Sequence, residues 1–408
     1  MRHGSTASTP FQRIKRAAFT WGAILLATLA AIIIAGELGL RATGFSAPIW
    51  YQPDPQLGWS MRPGAHGWFT KEGRAYAQVN PAGFRDRVHP LDKPQGTYRI
   101  AVLGDSVVEA FQVDMKAAFW WQLQDKLRDC SALRGREVEV MAFGVSGYGT
   151  AQHALLLEST AARYQPDLVL LAFAANDLRN NSARLEPENE RPFFLLDGEG
   201  LRLDASFAAR PKFASRLSAP AEAYRSASDW MRLVQLVQAA KHGIDTWRQV
   251  GTAQAAAGRQ DERLAGVEPT TIISLFAPPR EAAWEEAWTV TERILARMND
   301  QAARIKARFA VTVITHSAQV HPESATRKNL QDALGVQDLF YIDQRVQALG
   351  KRAGFTVVPL APELQKRAEA QGTYFHGFAN YRMGWGHWNE EGHRAAAAIL
   401  ASRLCAEI

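Results

Sequence analysis

With 408 residues, 47% of them hydrophobic and 22% charged, the chain has the size and composition of a globular protein with one large or two ordinary domains. Its net charge of +6 is concentrated at the amino terminus, because residues 1–16 contain four basic side chains and no acid, which leaves +2 for the rest. This balance excludes the basic surface of a typical nucleic-acid-binding protein, so we expect no nucleic-acid partner.

The segment Ala17–Gly36 contains no charge, and Glu37 is the first charged residue after it. Twenty helical residues rise about 30 Å, which matches the hydrocarbon core of a bilayer. A cleaved signal peptide has a shorter apolar region and a small-x-small cleavage site, and a buried core helix is rarely apolar all round. We therefore predict a cytoplasmic tail over residues 1–16 and a transmembrane anchor over residues 17–38.

Positive charge on the amino-terminal side of the anchor places that side in the cytoplasm. The sequence thus predicts a single-pass protein of the inner (cytoplasmic) membrane whose remaining chain is extracytoplasmic, in the periplasm of a Gram-negative cell. Residues 39–96 are rich in Pro, Gly, Trp and Tyr, with a turn signal in the stretch VNPAGFRD at 79–86. We interpret them as an irregular juxtamembrane arm.

From residue 97 the pattern changes to short apolar runs that alternate with helical periodicity. Strands are predicted at 99–104, 138–143 and 168–173, with helices at 116–129 and 151–163 between them. This alternation favours a doubly wound parallel sheet, hence an α/β fold over residues 97–408. Residues 178–268 break the pattern and are predicted to be an insertion with one helix at 221–247. Further strands at 271–276, 311–315 and 355–360, a helix at 280–308 and a closing helix at 390–404 complete the prediction.

Polar or small residues follow three predicted strands at the point where each ends. Ser106 comes after the first strand, Gly144 after the second and Asn176 after the third. Ligands bind beyond the carboxyl ends of the strands in an open parallel sheet, so these residues are expected to meet. A serine at such a turn can act as a nucleophile while backbone amides and an asparagine side chain stabilise an oxyanion. His387, just before the closing helix, is the candidate general base.

These blocks, Gly104-Asp105-Ser106, Gly144, Asn176-Asp177 and His387 in this order, resemble the SGNH (GDSL-type) hydrolase family. The resemblance implies a three-layer flavodoxin-like α/β fold, a Ser106 nucleophile and a His387 base. It also implies an oxyanion hole formed by the Ser106 and Gly144 amides and the Asn176 side chain. The VNPAGFRD stretch and the apolar amino terminus are similar to a bacterial membrane-anchored subset.

One departure from the family concerns the acid that orients the histidine. The family places an aspartate three residues before the histidine, or two in related acetyltransferases, and here those positions are Gly384 and Trp385. The chain therefore uses either a Ser–His dyad or an acid from elsewhere, and Asp105 is too close to Ser106 in sequence to reach the far side of His387. No metal or other cofactor is expected, because His316, His321 and His376 match no short metal-ligand spacing.

The function that follows is a serine esterase acting on acyl esters, O-acetyl groups above all, of an envelope glycan or lipid. Two alternatives stay open: an O-acyltransferase of exopolysaccharide or peptidoglycan, and a catalytically weak envelope scaffold. In a flavodoxin-like strand order the first and last helices lie side by side. Because Cys130 ends the first and Cys405 ends the last, we predict a disulfide between them.

Overall fold

The computed structural model describes residues 10–241, 243–244, 264 and 266–408. Its strands are β1 Tyr51–Asp54, β2 Gly58–Met61, β3 His66–Phe69, β4 Ala75–Gln78, β5 Thr97–Gly104, β6 Glu137–Gly144, β7 Leu168–Phe173, β8 Phe193–Asp197, β9 Gly200–Asp204, β10 Arg308–Val313 and β11 Thr356–Pro359.

The helices begin with the long amino-terminal helix and end with the closing one. They are α1 Pro10–Ala42, α2 Ser106–Glu109, α3 Phe119–Leu127, α4 Thr150–Ser159, α5 Asn176–Asn180, α6 Pro211–Arg216, α7 Ala219–Trp230, α8 (232–241), α9 Ala282–Arg304, α10 Ser324–Leu334, α11 Tyr341–Ala353, α12 Ala361–Gln371 and α13 Glu390–Glu407.

The centre of the fold is a five-stranded, fully parallel sheet in the order β11-β10-β7-β5-β6. Every residue of β5 and β7 is buried, as expected for inner strands covered by helices on both faces. Alternate side chains of β5 enter two separate hydrophobic clusters, with Leu103 on one face and Val102 on the other. This confirms the predicted three-layer flavodoxin-like fold, in which strand order reverses between β5 and β7.

The disulfide predicted from this topology is present. The helices α3 and α13 pack against each other, and Cys130 is bonded to Cys405 with a Cα–Cα distance of 5.6 Å. The bond closes a loop that includes most of the α/β domain, because the two cysteines are 275 residues apart.

The arm is more regular than predicted. It contains two antiparallel hairpins, β1–β2 and β3–β4, whose strands are only four residues long. In β4 the side chains of Ala75 and Ala77 are buried while those of Tyr76 and Gln78 are exposed. Strands this short give little periodicity in sequence, which is why the prediction of an irregular arm was wrong.

The segment after β7 also differs from the prediction. It contains a β8–β9 hairpin, and the helix predicted at 221–247 is divided at Met231, whose extended backbone separates α7 from α8. Residues 242 and 245–247 of that prediction lie outside the described residues. The predicted strand at 271–276 is wrong, because Ile273–Phe276 form a 3₁₀ turn. Its apolar residues Leu275 and Phe276 are buried without joining the sheet, since a short apolar run does not distinguish a strand from another buried segment.

The helix α1 extends away from the α/β domain. Within the described residues, Ile14–Ala42 is the one helix with the length and apolar composition to cross a membrane, with a mean hydropathy of 2.3 over its most apolar window. No part of that window is buried against the rest of the chain.

Candidate active site

Ser106 is the first residue of α2, directly after β5. Asp105 caps this helix, accepting the Val107 N–H at 3.1 Å through its side chain. The Val108 and Glu109 amides donate to the Asp105 carbonyl, whereas the Ser106 N–H has no acceptor among the described residues. A first-turn amide is left free by helix geometry. The Ser106 amide is therefore available beside its own hydroxyl.

His387 lies in the loop before α13 and reaches Ser106 across the carboxyl edge of the sheet. Its Nε2 is 2.8 Å from Ser106 Oγ. Because the other ring nitrogen donates to a carboxylate, Nε2 is the unprotonated nitrogen and accepts the hydrogen bond from the serine hydroxyl. The sequence predicted that these two residues meet, and the structure brings them within hydrogen-bonding distance.

The carboxylate is that of Glu72, which the sequence did not reveal. Glu72 Oε2 accepts from His387 Nδ1 at 2.6 Å, and Oε1 accepts from the His387 backbone N–H at 2.6 Å. One buried carboxylate thus holds both the ring and the backbone of the histidine. Of the two alternatives left open, dyad or acid from elsewhere, the geometry supports the acid from elsewhere.

Glu72 comes from the arm, in the turn between β3 and β4. The side chain of Asn380, in the His387 loop, fixes this turn by accepting the Gly73 N–H at 2.9 Å and donating to the carbonyls of Thr70 and Gly73. Gly386 has φ +70°, and a Cβ there would collide with the Glu72 carboxylate. The approach of Glu72 therefore requires glycine at position 386.

The arm also holds α2 in place. The guanidinium of Arg85 donates to the carbonyls of Ala110 at 2.6 Å and Val113 at 2.5 Å, and Ala110 has the left-handed φ of 54° that ends the helix. The Tyr51 hydroxyl donates to the buried Glu109 carboxyl at 2.7 Å. The arm thus contacts both the element that carries Ser106 and the loop that carries His387.

The pKa of His387 reflects two opposed effects. Burial lowers the pKa, while the hydrogen bond and the negative charge of Glu72 raise it, with smaller contributions from Asp105 and Glu268. The net shift is upward from the ordinary value of 6.5. Glu72 therefore stabilises the imidazolium form of His387.

A second buried histidine stiffens the loop. His376 Nδ1 donates to the Gly386 carbonyl at 2.7 Å, so its Nε2 accepts from the Thr315 hydroxyl at 2.9 Å. Thr315 in turn accepts the indole N–H of Trp388 at 2.8 Å. Burial lowers the pKa of His376 to about 3, which keeps it neutral in this network. Among the described residues, no group of three or more His, Cys, Asp or Glu side chains has the arrangement of a metal site.

Asn176, at the start of α5, lines the same cavity as Ser106 and His387. Its Nδ2 donates to Asp105 Oδ2 at 3.1 Å and to Asn180 Oδ1 at 3.0 Å. Burial raises the pKa of Asp105, an effect that the Val107 N–H and the Asn176 amide counteract. To bind a developing oxyanion, Asn176 would exchange one of its two internal hydrogen bonds for one to the substrate.

Gly144 ends β6, where the sequence predicts it. The Val145 N–H donates to Gly104 in the β5–β6 ladder, and alternation along a parallel ladder directs the Gly144 N–H away from β5 and Ser106. Gly144 is also absent from the cavity lining. A Cβ at this position would collide with the Val108–Glu109 backbone of α2. The geometry therefore supports close packing under α2 as the role of Gly144, and not an oxyanion-hole amide.

A cavity of about 340 Å³ opens beside Ser106 and His387. Its lining includes the apolar side chains of Ile272, Leu275 and Ile314 and the charged side chains of Arg179 and Glu268. The cavity is large enough for an acyl group and part of the group to which it is esterified.

The site contains a hydroxyl, an imidazole and a carboxylate joined in series by hydrogen bonds at the carboxyl edge of a flavodoxin-like sheet. This arrangement is typical of a serine-dependent hydrolase. The chain belongs to the GDSL-like lipase/acylhydrolase family, whose model matches residues 102–395. Membership of this family makes the protein an ester-hydrolysing enzyme by class. The matched segment includes Ser106, Asn176 and His387 and excludes Glu72.

The solved structures that this chain matches share little sequence with it. A mutant of an acetyl-xylooligosaccharide esterase from Geobacillus stearothermophilus is 9% identical, with a TM-score of 0.38, and the match covers 76% of this chain and 95% of that one. A lipase from a goat rumen metagenome is 11% identical (TM-score 0.38; 76% and 97% covered). A GDSL-like lipase from Bacteroides thetaiotaomicron is 12% identical (TM-score 0.33; 76% and 89% covered). No curated protein matches the chain in sequence.

Proposed function

We propose that the protein is a membrane-anchored serine esterase in which Ser106 is the nucleophile and His387 the general base. Glu72 is the acid that orients His387 and stabilises its protonated form. The observation that carries this proposal is the continuous chain of short hydrogen bonds from Glu72 Oε2 through the imidazole to Ser106 Oγ. A serine hydroxyl is a weak nucleophile until such a base accepts its proton.

The reaction proceeds in two halves. Ser106 Oγ bonds to the acyl carbon while His387 Nε2 takes the hydroxyl proton, and the carbonyl electron pair moves onto oxygen. The tetrahedral intermediate then expels the alcohol, which receives the proton from Nε2, and leaves the acyl group on Ser106. Water repeats the same steps, with His387 as base and then as acid, and releases the carboxylic acid.

The oxyanion is stabilised by the free Ser106 N–H and by the Asn176 side chain. The backbone positions of both donors are set before substrate binds, because α2 and α5 start at the ends of β5 and β7, while the Asn176 amide exchanges one internal hydrogen bond for the oxyanion. Preorganised donors of this kind are worth about 10²–10³ in kcat each.

We also propose that α1 stays attached and holds the enzyme in the inner membrane, with the α/β domain outside the cytoplasm. Three observations support this arrangement: the length of the uncharged stretch, the basic residues before it, and the hydrogen bonds by which Glu37 accepts from Arg232 and Arg41 donates to Trp230. In that compartment the esters within reach are those of envelope glycans and lipids. An O-acetyl group fits the cavity, whose apolar lining residues Ile272, Leu275 and Ile314 suit its methyl group.

The test is hydrolysis of p-nitrophenyl acetate by the purified full-length protein, with Ser106→Ala as the inactive variant. We expect acetate release that depends on Ser106 and does not increase with an added glycan. A product seen only when an O-acetyl acceptor glycan is present would assign the same residues to acyl transfer. No turnover by the folded wild type in either assay would refute the enzymatic proposal in favour of a scaffold.

A further inference from the structure

Helix α8 is unusual because its polar face is turned inward. Gln235 is buried and accepts the Ala47 N–H at 2.9 Å, while its amide donates to the Ser228 carbonyl at 2.6 Å. The outward face carries Val237, which is 64% exposed, and Ile244, in the helical residues 243–244 that follow α8 in the chain, is 52% exposed. A helix at a water-facing surface has the reverse arrangement.

The outward face is a continuous apolar stripe. Leu233, Val237, Ala240 and Ile244 recur at intervals of four, three and four residues, which keeps them on one side of a helix. Leu236 borders this stripe and is 40% exposed. Exposed apolar stripes of this kind are typical of helices that lie in a membrane interface.

The start of α8 is attached to the end of α1. The Glu37 carboxylate accepts the backbone N–H groups of Arg232 at 3.0 Å and Leu233 at 3.1 Å. Arg41 forms an ion pair with Glu37 and donates to the Trp230 carbonyl. These bonds satisfy a carboxylate that directly follows the uncharged stretch, where an unpaired charge would be costly.

The same contact sets the height of α8 relative to the membrane. Leu233 Cδ2 lies 3.3 Å from the position that a Cβ on Gly36 would occupy. Gly36 ends the stretch that would fill the hydrocarbon core, so Leu233 lies at its boundary. Trp230, the preceding exposed aromatic residue, is at the level where tryptophan is enriched in membrane proteins.

We propose that α8 lies on the outer surface of the membrane that α1 crosses, with Leu236, Val237, Ala240 and Ile244 in contact with lipid acyl chains. This proposal rests on the anchor assigned to α1 under the proposed function, and not on the esterase chemistry. A lipid surface fits better than a protein partner because the stripe continues directly from the membrane end of α1. The helix would then fix the orientation of the α/β domain, in addition to the single tether.

The test uses the full-length protein in nanodiscs of phosphatidylethanolamine and phosphatidylglycerol. Single cysteines are introduced by Val237→Cys, by Leu29→Cys in α1 and by Leu196→Cys on β8, and each is labelled with an environment-sensitive fluorophore. No reductant is used, so that Cys130 and Cys405 stay in their disulfide. All three positions have exposed side chains, and circular dichroism reports the fold of each variant.

We expect nitroxide-labelled lipids to quench the labels at 237 and 29 several-fold more than the label at 196, and aqueous iodide to quench only the last. If the label at 237 behaves like that at 196 while the label at 29 is quenched by lipid, the interfacial helix is refuted and the anchor stands. If 237 is shielded from both quenchers, a protein surface covers the stripe, which also refutes the proposal. Loss of lipid quenching at 29 would refute the anchor as well.

Discussion

At the level of single residues, the pairing of Glu72 with His387 explains how the proposed base is held although Gly384 and Trp385 stand where the resemblance led us to expect an aspartate. Glu72 binds two N–H groups of the same residue, so it fixes the ring and the main chain together. Glu72 lies in the arm, 315 residues before His387 in the sequence. The active site is incomplete without a residue from the arm.

Glu72→Gln tests this pairing. The amide keeps the shape but removes the charge, so the pKa of His387 should fall, because the largest contribution that raises it is lost. The acidic limb of the pH profile of kcat/KM should therefore move to lower pH. The maximal kcat/KM should also drop, by up to about 10⁴-fold if the glutamine holds the His387 imidazole in the wrong tautomer. Glu323→Gln, whose carboxylate accepts from Tyr374 away from Ser106, is the matched control. An unchanged pH profile in Glu72→Gln would contradict the assignment.

Asn176→Ala tests the oxyanion donor. The change removes a side chain that lines the cavity without touching the Ser106–His387 bond, so kcat should fall about 10²–10³ with little change in KM. Steady-state kinetics with p-nitrophenyl acetate measures both constants. A rise in KM at constant kcat would instead assign Asn176 to substrate binding.

The sequence was most informative for residues that follow strands. Ser106 and Asn176 could be predicted because β5 and β7 are apolar throughout and their ends are unambiguous, and His387 because it precedes a strong closing helix. The role of Glu72 could not be predicted, because 315 residues separate it from His387. Its neighbours Lys71, Gly73 and Arg74 have the composition of an ordinary solvated turn. Its role arises only from tertiary packing.

At the level of elements, the contact between β6 and α2 determines where Ser106 lies. Gly144 allows the strand to approach the backbone of α2 with no intervening side chain. The sequence predicted that Gly144 would end a strand and contribute an amide to the oxyanion hole, and ladder geometry, which only the register reveals, does not support the second part.

Gly144→Ala should therefore displace α2. Overpacking a buried contact typically costs about 1–3 kcal/mol in the free energy of unfolding, and movement of Ser106 should lower kcat in parallel. Gly200→Ala in β9 is the control, because a Cβ there makes only an ordinary 3.4 Å contact. Urea unfolding together with turnover measures both effects, and wild-type values for the variant would contradict the packing role.

The disulfide between the ends of α3 and α13 stabilises the fold at a distance from the site. Opening a bond of this kind by Cys130→Ser with Cys405→Ser should lower the free energy of unfolding by about 2–4 kcal/mol. Because neither cysteine lines the cavity, kcat/KM should stay unchanged. Guanidinium unfolding of wild type with and without reductant, beside the double variant, tests this. Equal stability in all three samples would contradict it.

Elements with long apolar runs were predictable, and short ones were not. The core strands β5, β6, β7, β10 and β11 and the helices α9 and α13 fall close to their predicted positions. The four-residue arm strands and the turn Ile273–Phe276 were not predicted. A segment this short has the same hydrophobic pattern whether it forms a strand, a turn or a buried loop.

At the level of the whole molecule, the arm connects the amino-terminal helix α1 to the active site. It begins at the end of α1, contacts α2 through Tyr51 and Arg85, and contributes Glu72 to the His387 loop. The arm and the α/β domain are therefore separate along the chain but not in space, because both contribute residues to one site. We expect the domain to be inactive when separated from the arm.

The most direct test of the proposed mechanism is labelling of the full-length protein by a serine-directed fluorophosphonate, followed by peptide mass spectrometry. We predict a single adduct on Ser106 in the folded wild type, no adduct in Ser106→Ala, and slower labelling in Glu72→Gln because the base is less effective. Failure of the folded wild type to react at Ser106, or equal labelling rates in wild type and Glu72→Gln, would contradict the Glu72–His387–Ser106 mechanism.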